Sequence, residues 1–271
     1  MAGSTARAQA FSALHRPGHP FLLPNAWDVA SALLLAQAGF PAVGTTSLGV
    51  NAAAGLVDGG GTGRACVLAL AAGIAPRLNI PVTVDIEAGY SEDPHPVADL
   101  AAELASLGAA GINLEDAAAG GGLRPVGTQA AIIRAVAAAA PGLFVNARTD
   151  TYWLGCGPPD TRLAETITRL QAYRDAGASG VFVPGCSDIE AIAALTRSVP
   201  LPLNVLWQPD ADISRLAEAG VARISTGGAL YRRALAAGLA TAVAARDGGP
   251  LPAADLSYAS VQDLLRAPGP Q

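Results

Sequence analysis

The chain contains no lysine: all 17 of its basic residues are arginine. Chemistry that needs a lysine amine, such as Schiff-base aldol cleavage or attachment of pyridoxal phosphate, is therefore excluded. Histidine is almost as scarce. His15, His19 and His95 are the only three, too few and too scattered for a three-histidine zinc site. Cys66, Cys156 and Cys186 are odd in number and lack metal-ligand spacing, so they read as free thiols of a reducing cytoplasm. No apolar run approaches the ~20 residues that span a membrane. The nearest, "FLLPNAWDVASALLLAQAGF", is interrupted by Pro24, Asn25 and Asp28. The N-terminal "MAGSTARAQAFSALHRPGHP" has no apolar segment of the kind that marks secretion. A net charge of −5 argues against a nucleic-acid partner.

What the chain does have is apolar: 51% of its 271 residues, against 14% charged, the balance of a well-buried globular protein. Eight strand-length runs recur: "FLLP" (21–24), "AVGTTS" (42–47), "VTVDIE" (82–87), "GINLED" (111–116), "LFVNAR" (143–148), "GVFVPG" (180–185), "LNVLW" (203–207) and "RISTG" (223–227). Most are separated by Ala/Leu-rich segments at helical spacing that end in Ala-Gly or Leu-Gly, a helix stop. This alternation predicts a parallel sheet covered by helices, and eight units fit a single (β/α)8 TIM barrel over residues 1–271. An open doubly wound sheet is the alternative, but no glycine-rich nucleotide fingerprint follows the first strand. The segment "LGVNAAAGLVDGGGTG" after strand 2 reads as an ordered loop over the strand ends. After the eighth strand come a long helix and a Pro/Gly break. A short helix, "DLSYASVQDLLR", follows in a C-terminal extension of about 254–267. It has no strand to cover and is expected to pack on a neighbouring subunit.

Active sites of such barrels lie at the C-terminal ends of the strands. Those positions hold Thr46 and Ser47, Asp85 and Glu87, Glu115 and Asp116, Arg148 and Asp150, and Asn204, with Asp58 in the long loop above. Asp85 and Glu87, two apart on a strand, are expected to face the same way. Unpaired acids crowded into a partly dry site would repel and take up protons. A hard divalent cation, Mg²⁺ or Mn²⁺, relieves this, and Mg²⁺ takes one or two carboxylates directly and keeps its waters. Arg148 ends an apolar strand and needs a partner there. Its fork suits a carboxylate or enolate oxygen, or a salt bridge to Glu115 or Glu87. Asp116 reads as a turn-former or cap, and Asp93 as the cap of the "PHPVADL" helix. The turn "STGGAL" (225–230) suits a phosphate or a plain tight bend.

Taken together, "LPNAWDVASALLLAQAGFPAVGTTSLG", "VDG", "PVTVDIEAGY", "GINLED", "NARTDTYW", "LQAYRDAGASGVFVPG", "PLNV" and "RISTGGAL" resemble the isocitrate lyase / phosphoenolpyruvate mutase superfamily over nearly the whole chain. The resemblance implies a Mg²⁺-dependent lyase or phosphonomutase (an isomerase). It also implies a TIM barrel, and a cytoplasmic homotetramer of dimers that exchange the last barrel helix. By position, Asp85 resembles the direct metal ligand, and Asp58, Glu87 and Glu115 the acids acting through water. Ser47, Leu48 and Gly49 resemble the substrate-carboxylate cradle, with Asn204 a further substrate contact. Asp58, Glu115 and Arg148 are then the catalytic candidates, Arg148 as partner of the substrate oxyanion. The sequence departs from the lyases after strand 4, where "AAAGGGLRPVG" (117–127) has no Lys, Cys or His. That loop is expected to be mobile, with Arg124 swinging in to aid binding. The expected substrate is a small 2-oxo or 2-hydroxy carboxylate, cleaved at a C–C bond. Alternatives are P–C bond chemistry, a phosphosugar isomerase using "STGGAL", or an inactive carboxylate-binding relative.

Overall fold

Pro24 cuts the first strand in two. Proline has no N–H to give to a ladder and sits at strand breaks, and here it separates β1 (Phe21–Leu23) from β2 (Asn25–Ala26). The two halves pair in parallel with opposite neighbours: β1 with the last strand, β9 (Arg223–Ser225), and β2 with β3 (Val43–Thr45). Between them run β4 (Val82–Asp85), β5 (Gly111–Glu115), β6 (Phe144–Arg148), β7 (Gly180–Phe182) and β8 (Leu203–Leu206). The order is β1-β9-β8-β7-β6-β5-β4-β3-β2. All eight expected strands are present, and the ninth is the far half of the first, so the chain is a (β/α)8 barrel. The structure, a computed structural model, describes residues 2–118, 120–250 and 256–266.

The helices in chain order are α1 (Ala2–Leu14), α2 (Val29–Gln37), α3 (Ser47–Ala53), α4 (Arg64–Ile74), α5 (Pro94–Ser106) and α6 (Val126–Ala139). They continue with α7 (Pro159–Asp175), α8 (Ile189–Ser198), α9 (Ile213–Glu218), α10 (Ala229–Asp247) and α11 (Tyr258–Arg266). Aspartates start several of them: Asp28, Asp93, Asp188 and Asp212 each accept a backbone N–H of the first turn. Gly108 (φ 97°) and Gly220 (φ 85°) end α5 and α9 in the left-handed conformation that other residues adopt at a cost. Two readings change. The expected loop after strand 2 begins as α3. The C-terminal helix packs on α2 of its own chain, and positions 254, 255 and 267 of the expected extension lie outside the described residues. Among the described residues no helix is long and apolar enough to cross a membrane.

The N-terminal helix, for which the sequence carries no strand to pair with, closes the bottom of the barrel. Phe11 packs there with Leu23, Ala42, Ala110 and Phe144. His15 stacks on Phe144 with ring centroids 4.1 Å apart, and its Nδ1–H donates to the Phe11 carbonyl at 2.8 Å. Burial, aided by the charge of Arg223, pushes the His15 pKa down to about 3. Above pH 6.5 the ring is neutral in both states and costs nothing. As pH falls from 6.5 towards 3 the unfolded chain takes up a proton that the native ring refuses, so stability is lost by ~1.4 kcal/mol per pH unit. His15→Phe should remove this loss. Its stability relative to wild type should rise by about 2 kcal/mol between pH 7 and pH 5 in urea melts. Parallel pH profiles for the two proteins would count against it.

Candidate active site

Strand β4 stops at Asp85, and the chain then turns. Glu87 (φ 51°) and Tyr90 (φ 61°) both adopt the left-handed conformation, which costs of order 1–3 kcal/mol per residue and collects at functional sites. Asp85 and Glu87 therefore meet through a strained turn, not through strand alternation as the sequence suggested. The turn is tied down by its neighbour: Ile86 N–H donates to the Asn113 carbonyl at 3.1 Å, and Glu115 N–H to the Glu87 carbonyl at 2.9 Å.

The acids then converge. Asp85 accepts the Ser47 N–H at 3.2 Å and the Glu87 N–H at 3.3 Å. Burial raises its pKa and Asp58 adds to this, against the pull of Arg148 and the two N–H groups. Glu87 accepts Asn51 Nδ2 at 2.8 Å, and the same nitrogen reaches exposed Asp58 at 3.4 Å. Burial raises the Glu87 pKa as well. At the end of β5, Glu115 is pushed up to about 8 by burial, with Asp150, Asp85 and Asp58 adding to it and Arg148 opposing. Arg148, at the end of β6, bonds Glu115 at 2.8 Å and grips Asp150 with two bonds, 2.6 and 3.0 Å. It lies 5.7 Å from the centre of the Phe182 ring.

Ser47, Leu48, Asp58, Asp85 and Arg148 share the wall of one cavity of about 290 Å³. Glu87 and Glu115 face an adjoining space of about 230 Å³. The acid row is thus a partition between two hollows at the C-terminal mouth. Gly49 backs onto the protein: a Cβ there would lie 2.7 Å from Trp27 Cβ. Asn204 lies a layer deeper and donates to Ser225 Oγ at 3.1 Å. It is Ser225, not Asn204, that lines the cavity. The "STGGAL" turn borders the same cavity, and its Gly227 N–H is taken by Asn25 Oδ1 at 2.9 Å.

Arg124 is the clearest correction. Its side chain is 2% exposed and is held by Gln129 Oε1 at 2.7 Å and the carbonyls of Ala88 and Ser91 at 3.1 and 3.3 Å. Its own carbonyl accepts Arg169 Nη1 at 2.9 Å. It therefore pins the end of the loop to the Glu87 turn and has no freedom to swing. The loop itself folds back through an Ala117–Leu123 bridge, and its last two expected residues, Val126 and Gly127, already belong to α6. Sequence reasoning also passed over Asn51, Asn113, Trp153, Trp207 and Arg232, all but the first of which line the cavity. A helical asparagine or an interior strand asparagine carries no spacing signal.

Among the described residues, no three His, Cys, Asp or Glu side chains enclose a point as a ready-made metal cage. The donor set nevertheless suits a hard cation that keeps its waters. Asp85 could serve as a direct ligand, and Asp58, Glu87 and Glu115 could accept hydrogen bonds from its waters, burial raising the Glu87 and Glu115 carboxyls. Arg148, Asn51 and the two N–H groups on Asp85 offset part of their charge.

The phosphoenolpyruvate phosphomutase family profile matches residues 11–246. The Mycobacterium tuberculosis H37Rv protein Rv1998c, itself uncharacterised, is 46% identical over 94% of this chain and 95% of its own. A Burkholderia cenocepacia J2315 crystal structure described as a candidate phosphonomutase is 42% identical, covers 88% of this chain and 98% of its own, and superposes with a TM-score of 0.82. Phosphonopyruvate hydrolase complexed with oxalate and Mg²⁺ is 25% identical, with a TM-score of 0.82 over 95% of this chain and 94% of its own.

Proposed function

The chain belongs to the phosphoenolpyruvate phosphomutase family, within the phosphoenolpyruvate mutase/isocitrate lyase superfamily, and from that premise we propose a Mg²⁺-dependent enzyme that makes or breaks a C–C bond in a small 2-oxo or 2-hydroxy carboxylate through an enolate-like intermediate. The observation that carries this reading is the meeting of Asp85, Glu87, Glu115 and Arg148 at one barrel mouth. A bound Mg²⁺ would supply Lewis-acid stabilisation of oxygen charge. The chain's own groups do the rest. Asp150 and Glu115 hold the Arg148 fork in place, so it meets developing oxyanion charge without reorganising. The Glu87 turn holds its carboxylate against Asn51. Trp153, Phe182 and Trp207 give the cavity aromatic walls that limit water at the reacting centre.

A second reading, P–C bond chemistry on a phosphonate, is favoured by the relatives described as phosphonomutase and phosphonopyruvate hydrolase. Oxaloacetate, methylated malates, phosphonopyruvate and phosphoenolpyruvate, each assayed with Mg²⁺ and with EDTA, separate the two. Turnover of a malate or oxaloacetate that EDTA abolishes is expected. Turnover of phosphonopyruvate alone would replace C–C by P–C chemistry. No turnover by a chain that still binds Mg²⁺ would leave a non-catalytic carboxylate binder.

The same reading includes a cytoplasmic homo-oligomer, a tetramer. Helix α10 buries only Tyr231, while Leu235, Leu239 and Val243 form an exposed apolar stripe four residues apart, the pattern of a helix that expects a partner. Light scattering should give a multiple of 27.0 kDa; a monomer at micromolar concentration would refute this.

A further inference from the structure

The floor of the cavity is a polar layer inside the barrel. Asn113 on β5 sits in register with Asp85 on one side and Asn146 on the other. Arg223 on β9 is fully buried beneath them and donates Nη2–H to Asn113 Oδ1 at 2.8 Å. Asn146 Nδ2 donates to that same oxygen at 2.8 Å. A guanidinium has only donors, so the atom it meets must be the amide oxygen. This settles which way the Asn113 amide points. Its nitrogen is left without an acceptor among the described residues, although Asn113 is only 6% exposed and lines the cavity beside Asp85, Ser47 and Arg148. Buried donors without acceptors are rare, and where they open on a cavity a ligand oxygen is the natural partner.

We infer that Asn113 is a substrate-binding residue, donating a hydrogen bond from Nδ2 to a carboxylate or enolate oxygen of the bound oxo acid, and that Arg223 is its positioning residue. The assignment rests on the proposed function and specifies its substrate contact. A neutral donor suits this place, because it binds anionic oxygen without competing with Asp85 for a cation. It also needs no rearrangement as charge develops, since two buried donors already hold it. Burial pushes the Arg223 pKa down to about 9, so the guanidinium stays charged at neutral pH and keeps its hold on the amide oxygen.

The test uses the full chain with Mg²⁺ and oxalate as probes, followed by titration calorimetry. Wild type should bind Mg²⁺ and, in its presence, oxalate. Asn113→Ala should keep its Mg²⁺ affinity and lose roughly tenfold in oxalate affinity. Asn113→Asp keeps an acceptor for both Arg223 and Asn146, so it should melt no lower than wild type, yet bind oxalate more weakly than the alanine variant. Arg223→Lys, still a donor-only cation, should retain more oxalate affinity than Arg223→Met. Should the Arg223 variants fail to fold, the Asn113 pair decides the matter. Unchanged oxalate affinity in both Asn113 variants, with Mg²⁺ still bound, overturns this assignment alone. A wild-type chain that binds neither probe overturns the proposed function, and the assignment with it.

Discussion

Mg²⁺ should raise the melting temperature of the wild-type chain and leave that of Asp85→Ala unchanged, the largest functional effect expected. Asp85 is the buried acid at the centre of the row, and two N–H groups hold its carboxylate in place. A ligand at one hundred times its dissociation constant stabilises the native state by ~2.7 kcal/mol, or roughly 5–10 °C for a domain of this size. If Asp85 is the direct ligand, as proposed, both the shift and turnover should vanish without it. In EDTA the order should reverse. Asp85 is raised in pKa by burial and by Asp58, so it burdens the metal-free fold, and the alanine variant should melt no lower than wild type. Equal Mg²⁺ shifts in the two proteins would remove Asp85 from the site.

Asp116→Ala should cost 3–5 kcal/mol, the range for breaking a buried ion pair on one side. Asp116 is fully buried and serves four donors: Thr149 Oγ1 at 2.8 Å, Asp150 N–H at 2.9 Å, Tyr173 OH at 2.6 Å and Arg169 Nη1 at 3.2 Å. It thus ties the end of β5 to the end of β6 and to α7. Removing it leaves these donors short and Arg169 inside the protein without that partner. The melting temperature should fall by roughly 6–20 °C. The damage should also reach the active site, because Asp150, which grips Arg148, loses the bond that seats its backbone. Asp116→Asn, which keeps shape but not charge, should fall between. An alanine variant within about 1 kcal/mol of wild type would show that the network is dispensable.

These two aspartates show how far the residues speak for themselves. Glu115 and Asp116 are adjacent acids at one strand end, and sequence alone separates them only as candidate and turn-former. The barrel assigns them by alternation: Glu115 turns to the mouth, and Asp116 turns back between the sheet and α7, where it is no simple cap but the centre of a network. Arg124 and Arg148 were both read as substrate contacts, yet burial against three acceptors makes Arg124 a brace. The strands, the acids at their ends and the family were legible because each is written locally, in apolar runs of strand length and in motifs of fixed spacing. Pairing of the split first strand with opposite neighbours, the plug formed by Phe11 and His15, the left-handed turn at Glu87 and the orientation of Asn113 were not. Each depends on which residue from a distant strand or helix arrives opposite, and that is decided only when the barrel closes.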